Sequence, residues 1–277
     1  MSGNKLARWS NYVLLSLITF IILYPMLYMV LNALRSTKEI MLYPTRLWPA
    51  DGFQWSNYAE AFRVGKVSIY LLNSITVTGI TLLCQLIVVT LAAYALGKWK
   101  PPGHKVLFVL FLATLMITSE MTTIPVFLML REFELLNTHQ GLILAYVGGG
   151  IGMAIYLIKN FVDTLPKEVD EAARMDGAGL LRVFWYIDLP LIVPVLAVVT
   201  IMSFVGVWSE FFWALITITD DRLKTLPLGL LNFQSQYNTN YGVLLAGLTI
   251  VTIPSMLVYL LFSRYFIEGM TAGSIKG

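Results

Sequence analysis

The chain has 277 residues, of which 57% are hydrophobic and 13% are charged, and its formal net charge is +3. Its mean hydropathy is +0.74. Because a soluble domain carries roughly 25% charged residues, the surplus of apolar surface is expected to face lipid. The single cysteine, Cys84, excludes an intrachain disulfide and a cysteine-built metal site. The small net charge gives no electrostatic support for nucleic-acid binding.

Long stretches without Asp, Glu, Lys or Arg divide the chain into candidate membrane spans. A bilayer core of about 30 Å requires roughly 20 helical residues. The third candidate span is expected to be interrupted by Glu120 and Pro125. We predict an all-α, polytopic membrane protein with a single transmembrane domain over residues 1–277. Its six helices are expected near residues 12–34, 69–97, 106–130, 141–160, 191–217 and 241–263.

The first apolar stretch has two interpretations. Lys5 and Arg8 precede it, as in a secretory signal peptide, but it is longer than 20 residues and lacks an A-x-A-like exit. These features favour a retained helix. With six spans both termini lie on one side, and a cytoplasmic N-terminus places eleven of the nineteen lysines and arginines inside. This modest bias predicts that both termini are cytoplasmic.

The longest predicted inner segment, residues 163–190, has the pattern of a helix–turn–helix. Pro166 and the acids that follow it suit the first turn of a helix. Asp176-Gly177 is a turn signal, because glycine adopts the left-handed conformation that ends many helices. A second short helix is expected to be closed by Pro190, which would direct the chain back into the membrane. The alternative is a solvated loop with incidental helices.

The chain has no common nucleotide-binding or metalloprotease motif. G-x-x-x-x-G-K-[ST] is absent, so the chain is not expected to bind ATP by a P-loop. H-E-x-x-H is also absent, and His104 and His139 are predicted on opposite sides of the membrane, which disfavours a metal site. The run Gly148-Gly149-Gly150 is better explained by close helix packing in the fourth span. We therefore predict that the chain is not an enzyme and binds no cofactor.

The 163–190 segment also carries nine residues at fixed spacing: E-A-A, two residues, D-G-A, eight residues, then I-x-L-P. This pattern resembles the inner-membrane permease signature of bacterial ATP-binding-cassette (ABC) importers. The similarity extends along nearly the whole chain to the carbohydrate-type permeases, particularly the smaller subunit of the maltose-type pair. The residues that carry the signature are Glu171, Ala172, Ala173, Asp176, Gly177, Ala178, Ile187, Leu189 and Pro190.

Other parts of the chain share the resemblance. The corresponding segments are Tyr24-Pro25, residues 35–40, Ile124-Pro125, residues 208–215 and residues 269–277. Ser209 departs from the pattern, since many relatives have Asn after the tryptophan.

The resemblance implies a transport subunit that works by alternating access in the bacterial inner membrane. In the family, the loop around Glu171–Gly177 docks into a cleft on a separate ATPase subunit. The C-terminal tail also reaches the ATPase dimer, which makes Gly273, Lys276 and Gly277 candidate contacts. The implied partners are a second, different permease, an ATPase dimer that holds ATP and Mg, an extracytoplasmic substrate-binding protein and membrane lipid, and no nucleic acid.

Two acids inside the predicted spans are candidates for the substrate pathway, because burying a carboxylate in a membrane is costly. Glu120 lies in the third span. Glu210 lies in the fifth, near Trp208 and Phe212, and aromatic rings beside a hydrogen-bonding acid suit the faces of sugars. The alternative is that both acids fix the backbone at helix breaks. In the family, moreover, the companion permease often holds most ligand contacts.

The residues leave several functions open. We expect an importer subunit for a sugar or oligosaccharide, but a non-sugar solute such as a glycerol phosphate is an alternative. An ion-coupled carrier acting alone would use Glu120 or Glu210 as a proton relay. A membrane scaffold that merely anchors an ATPase is the third possibility.

Overall fold

The computed structural model describes residues 3–63, 66–233 and 240–272, and within these ranges the chain is helical without a β-strand. The predicted all-α class is therefore confirmed. The α-helices are α1 (Gly3–Asn32), α2 (Thr37–Leu42), α3 (Ser56–Arg63), α4 (Val67–Tyr94), α5 (His104–Thr114), α6 (Ser119–Glu132), α7 (His139–Gly149), α8 (Ile151–Val162), α9 (Lys167–Met175), α10 (Leu180–Val183), α11 (Leu189–Trp208), α12 (Phe212–Thr217), α13 (Leu226–Gly229) and α14 (Tyr241–Ala272).

Four helical segments of the described chain are long and apolar enough to cross a membrane: Trp9–Asn32, Val67–Trp99, Leu180–Trp208 and Tyr241–Phe262. Two further spans form if each of two bent helix pairs is counted as one. The α5–α6 pair bends by 102° and the α7–α8 pair by 46°. By length and composition the structure therefore has four to six spans, and the predicted six is the upper number.

The predicted interruption of the third span was placed too late in the sequence. The break lies between Thr114 and Ser119, where α5 ends and α6 begins, and Pro125 lies inside α6. Proline removes one backbone donor, but hydroxyl groups and neighbouring segments compensate for such losses in membrane helices. The carbonyl that loses its donor is that of Met121, four residues before Pro125. The helix nevertheless continues through its proline to Glu132.

The expected role of Pro190 was also wrong. The helical segment runs from Leu180 to Trp208 without a break, so Pro190 neither ends a helix nor turns the chain. One widened π-turn, Phe184–Asp188, precedes the proline, and within it the N–H of Leu189 donates to the carbonyl of Phe184, five residues earlier. Widening a helix by one residue is a common way to admit an irregularity.

The outer end of the fifth span differs as well. The prediction placed one helix over 191–217, whereas α11 ends at Trp208 and α12 begins separately at Phe212. A side chain in the intervening turn, described below, occupies the backbone donors that begin α12.

The contacts between residues divide the chain into two compact units. Unit 1 comprises the described residues before Tyr70 together with those of Gly229–Ile253. Its α1 is exposed at every position from Trp9 to Leu27. This continuous apolar surface suits contact with lipid.

Unit 1 contains a fully buried arginine, Arg35. Its guanidinium donates to the side-chain oxygen of Asn32 at 2.6 Å, to the carbonyls of Glu39 and Tyr43 at 3.1 Å each, and to the carbonyl of Arg46. The carboxylate of Glu39 lies 3.3 Å from Nε of Arg35 and accepts from the N–H of Ala50 at 2.9 Å. The guanidinium of Arg35 therefore connects the end of α1, the helix α2 and the segment that follows α2 as far as Arg46.

Unit 2 comprises Tyr70–Leu228 and the described residues that follow Pro254. It has two apolar clusters along α4. One cluster surrounds Val89 and contains residues of α8 and α11, whereas the other surrounds Val77 and contains residues of α7 and α12. The stretch of α4 between Val77 and Val89 borders the cavity described in the next section.

We expect Arg35→Met to lower the free energy of unfolding by about 3–5 kcal/mol, because it leaves the Glu39 carboxylate buried without its partner. The measurement is chemical denaturation of the purified chain in detergent micelles. Lys38→Met is the matched control, since Lys38 is an exposed basic residue in the same segment. It should change the stability by no more than about 0.5 kcal/mol. Equal stability of the two variants would contradict the central role of Arg35.

Candidate functional site

The predicted turn at Asp176-Gly177 forms a complete C-terminal cap on α9. The N–H of Ala178 donates to the carbonyl of Ala173, and the N–H of Gly177 donates to the carbonyl of Arg174, both at 3.0 Å. This pair of bonds is a Schellman motif, which requires a left-handed residue at the position of Gly177. Gly177 has φ = +81°, as the turn signal predicted.

The first half of the nine-residue pattern lies on the surface. Glu171, Ala172, Asp176 and Gly177 are exposed, whereas Ala173 and Ala178 are half-buried. Two large apolar side chains stand beside them: Met175 is 89% exposed and Leu181 is 76% exposed. We call residues 168–181 the exposed loop. Its mixture of acids, small residues and bare apolar groups is typical of a surface that contacts another protein.

The second half of the pattern lies elsewhere. Ile187 belongs to the π-turn that precedes α11, and Leu189 and Pro190 are the first residues of α11. Ile187 and Leu189 are half-buried and Pro190 is exposed. The nine residues therefore do not form one continuous surface: six of them belong to the exposed loop, and three form the base of a long helix.

A buried charge cluster connects the exposed loop to two long helices. Nζ of Lys98 lies 2.6 Å from Oδ2 of Asp170, in α9, and 3.2 Å from Oδ1 of Asp188, at the base of α11. The other carboxylate oxygen of Asp188 accepts a hydrogen bond from the hydroxyl of Tyr94 at 2.9 Å. Asp188 is fully buried, and the Tyr94 ring packs edge-on against Phe184 with centroids 4.7 Å apart. We call Tyr94, Lys98, Asp170 and Asp188 the charge cluster.

Sequence reasoning did not single out this cluster. Lys98 and Asp188 served only as the boundaries of charge-free stretches, and Asp170 as one of several acids in a first turn. One signal was available: Asp188 stands inside the I-x-L-P part of the pattern, where a charge at the edge of a span needs a partner.

Unit 2 also contains an open cavity of about 340 Å³. It is bordered by α4, α6, α7, α8, α11 and α12, and by the turn after α11. Its walls are apolar residues and glycines with a few polar groups, and no lysine or arginine of the described chain lines it. The polar or aromatic lining residues are Gln85, Ser119, Tyr146, Ser203, Glu210 and Trp213.

Glu210 lies at this cavity, but its carboxylate is already engaged. Oε1 accepts from the N–H of Trp213 at 2.8 Å, and Oε2 accepts from the hydroxyl of Tyr146 at 2.6 Å and from the N–H of Ala214 at 3.4 Å. A carboxylate that accepts the first backbone donors of a helix acts as its cap. Glu210 therefore both lines the cavity and fixes the break between α11 and α12.

Gln85 is the second polar residue of interest at this cavity. It lies in the middle of the long apolar helix α4, is only 2% exposed, and its Oε1 has no hydrogen-bond partner among the described residues. Its amide packs against Gly150, where a Cβ would overlap Nε2 of Gln85. The close helix packing that was predicted for the glycine run is therefore present at Gly150. No comparable close contact occurs at Gly148 or Gly149.

The other predicted pathway residues do not line the cavity. Glu120 is exposed in the first turn of α6, and Phe212 is 47% exposed. Trp208 is buried and stacks on Phe204, with ring centroids 5.5 Å apart. The predicted tail contacts, Gly273, Lys276 and Gly277, lie outside the described residues. No group of three or more His, Cys, Asp or Glu in the described part of the chain could hold a metal ion.

Comparison with known proteins agrees with this architecture. The family model described as "Binding-protein-dependent transport system inner membrane component" matches residues 1–271. The probable ABC transporter permease protein YurM of Bacillus subtilis (strain 168) is 35% identical over 97% of this chain and 88% of its own length. The diacetylchitobiose uptake system permease protein NgcG of Streptomyces coelicolor (strain ATCC BAA-471 / A3(2) / M145) is 32% identical over 96% and 88%, respectively.

A solved structure has the same fold. It is a chain from the crystal structure of a bacterial ABC transporter involved in the import of the acidic polysaccharide alginate, with a TM-score of 0.82 and 25% identity over 96% of this chain and 98% of that chain. The chain thus belongs to the binding-protein-dependent transport system inner membrane components, as a multi-pass permease subunit of an ABC importer.

Proposed function

We propose that this chain forms half of the translocation pathway of a saccharide importer and that its exposed loop receives the movement of an ATPase. The proposed assembly contains a second, different permease, two ATPase subunits that bind ATP and Mg, and an extracytoplasmic substrate-binding protein. A saccharide as cargo is supported by the named solutes of the relatives, diacetylchitobiose and alginate. The uneven distribution of basic residues supports cytoplasmic termini and a cytoplasmic exposed loop.

The charge cluster is the single observation that carries the coupling role. A loop that moves with an ATPase does work on the membrane helices only if it is attached to them in a way that differs between two states. Asp170 belongs to the exposed loop, whereas Lys98 and Asp188 belong to the ends of two long helices. A displacement of α9 is therefore transmitted to both helices through one lysine.

The exposed side of α9 suits the docking itself. Glu171 and Asp176 can pair with basic groups on the ATPase, while the small side chains at 172 and 177 allow close approach. The solvent-exposed side chains of Met175 and Leu181 add apolar surface area that a partner can bury. The predicted tail contacts at Gly273, Lys276 and Gly277 are retained as a second proposed contact with the ATPase dimer.

Uptake by the reconstituted complex tests the function as a whole. Proteoliposomes that contain both permeases and the ATPase, supplied with the binding protein, should accumulate a saccharide only when ATP is present in the compartment that the ATPase subunits face. A pH gradient without ATP should give none. Uptake by this chain alone, driven by a pH gradient, would instead establish an ion-coupled carrier.

Gly177→Val should abolish ATP-driven uptake while the chain still inserts and assembles, because a β-branched residue is strained at φ = +81°. Gly179→Val is the matched control. Gly179 lies in the same loop at φ = −71°, and a Cβ there would meet nothing within 4 Å. Uptake and copurification of the ATPase are measured for both variants, and normal uptake by Gly177→Val would count against the coupling role.

Asp170→Asn should lower the ratio of uptake to ATP hydrolysis by about five-fold or more, as expected for the loss of 1–3 kcal/mol of coupling. The substitution removes the charge that attaches α9 to Lys98 but leaves the Lys98–Asp188 pair balanced. Asp163→Asn is the control, since Asp163 forms a 2.6 Å ion pair with Lys159 that does not involve α9. If both variants keep the normal ratio, the charge cluster does not transmit the movement.

A further inference from the structure

We propose that the cavity beside Gln85 is a binding subsite for one uncharged saccharide ring. The proposal rests on the proposed function and names the chemical class of its cargo. Four observations of unit 2 carry it: the unsatisfied amide of Gln85, the chemistry of the lining, the size of the cavity and the absence of basic groups from its wall.

Burying the side-chain amide of Gln85 costs folding free energy. A buried polar group without a hydrogen bond destabilises a folded protein, so such groups usually have a partner when the protein functions. The Gln85 amide is nearly inaccessible and Oε1 has no partner within the described chain. The oxygen and nitrogen of a glutamine amide exchange places by rotation about the last side-chain bond, so Gln85 can present either an acceptor or a donor to a ligand.

The remaining polar groups complete a site for hydroxyl groups. Ser119, Ser203 and Trp213 belong to the lining residues, so two hydroxyl-bearing residues and one aromatic residue border the cavity together with Gln85. Hydroxyls and amides both donate and accept, which matches the dual character of the hydroxyls on a sugar. An aromatic surface beside a few convergent polar groups is typical of small-molecule sites.

The electrostatics favour a neutral ligand over an anion. Among the described residues, Glu210 carries the one carboxylate at the lining, held in place by its three hydrogen bonds, and no lysine or arginine borders the cavity. An anionic solute would stand near this carboxylate without a compensating cation, in a setting where charges are weakly screened. The cavity therefore suits a neutral sugar and disfavours a glycerol phosphate or an acidic saccharide.

The volume limits what can be enclosed. About 340 Å³ lies near the lower end of the roughly 300–1,000 Å³ typical of ligand sites. One pyranose or furanose ring is in keeping with this space, and a longer saccharide would have to extend beyond it.

The test uses the complete complex in proteoliposomes and four labelled probes: maltose, raffinose, diacetylchitobiose and sn-glycerol 3-phosphate. For a neutral sugar that the unmodified complex takes up, Gln85→Leu should reduce uptake by about ten-fold, which corresponds to one or two lost hydrogen bonds. ATP hydrolysis stimulated by the loaded binding protein should persist, because Gln85 belongs neither to the exposed loop nor to the charge cluster. Thermal stability should be unchanged or higher, because the variant removes an unsatisfied polar group.

Thr81→Val is the matched control. Thr81 lies one turn earlier on α4, is fully buried, and also has an oxygen without a partner among the described residues, but it does not line the cavity. Its uptake should match that of the unmodified complex. Equal uptake by the Gln85 and Thr81 variants overturns the subsite and leaves the importer function standing. Greater uptake of sn-glycerol 3-phosphate than of the sugars overturns the neutral specificity, and no ATP-driven uptake of any of the four probes by the unmodified complex overturns the proposed function together with the subsite.

Discussion

Lys98 stands between the carboxylates of Asp170 and Asp188 in a place that water barely reaches, and the architecture of unit 2 depends on this arrangement. Removing charges from water is expensive, and their attraction repays the cost only when the geometry is good and the remaining polar atoms have partners. The hydroxyl of Tyr94 supplies one such partner to Asp188. Because the loss of Lys98 would leave two carboxylates without their counter-ion, the end of α4, the base of α11 and the exposed α9 are held to one another.

Irregular helix geometry coincides with this cluster. Lys98 lies in the π-turn Ala95–Trp99 at the end of α4, and Asp188 lies in the π-turn Phe184–Asp188 before α11. A widened turn rotates the side chains that follow it relative to a regular helix, which is one reason such turns occur frequently at functional sites. Here both widened turns bring a charged side chain from an apolar helix toward the same lysine–carboxylate contact. The proline that follows the second turn is thereby accommodated within a helix of 29 residues.

Local rules recovered the parts of the structure that local chemistry determines. Charge-free stretches overlap the long apolar helical segments, such as Trp9–Asn32, and Asp176-Gly177 marked a left-handed turn, since both depend on neighbouring residues alone. Proline rules failed at Pro125 and Pro190, because a membrane helix tolerates the loss of one backbone donor, in the second case directly after a widened turn. The roles of Gln85 and of the charge cluster could not be predicted from the sequence for a different reason: they depend on contacts between segments that are distant in sequence. Glu210 falls between these cases, since its aromatic neighbours indicated a site but not its role as a helix cap.

The Schellman motif at Gly177 has a consequence for how the exposed loop meets a partner. Its terminal carbonyls are satisfied within the loop itself, at Ala173 and Arg174, so the shape of the tip does not depend on hydrogen bonds from outside. A surface that is already ordered before association loses little conformational entropy on binding, and more of the contact energy remains available as affinity. Preorganisation of this kind also permits repeated release and re-engagement, because the loop does not have to refold each time.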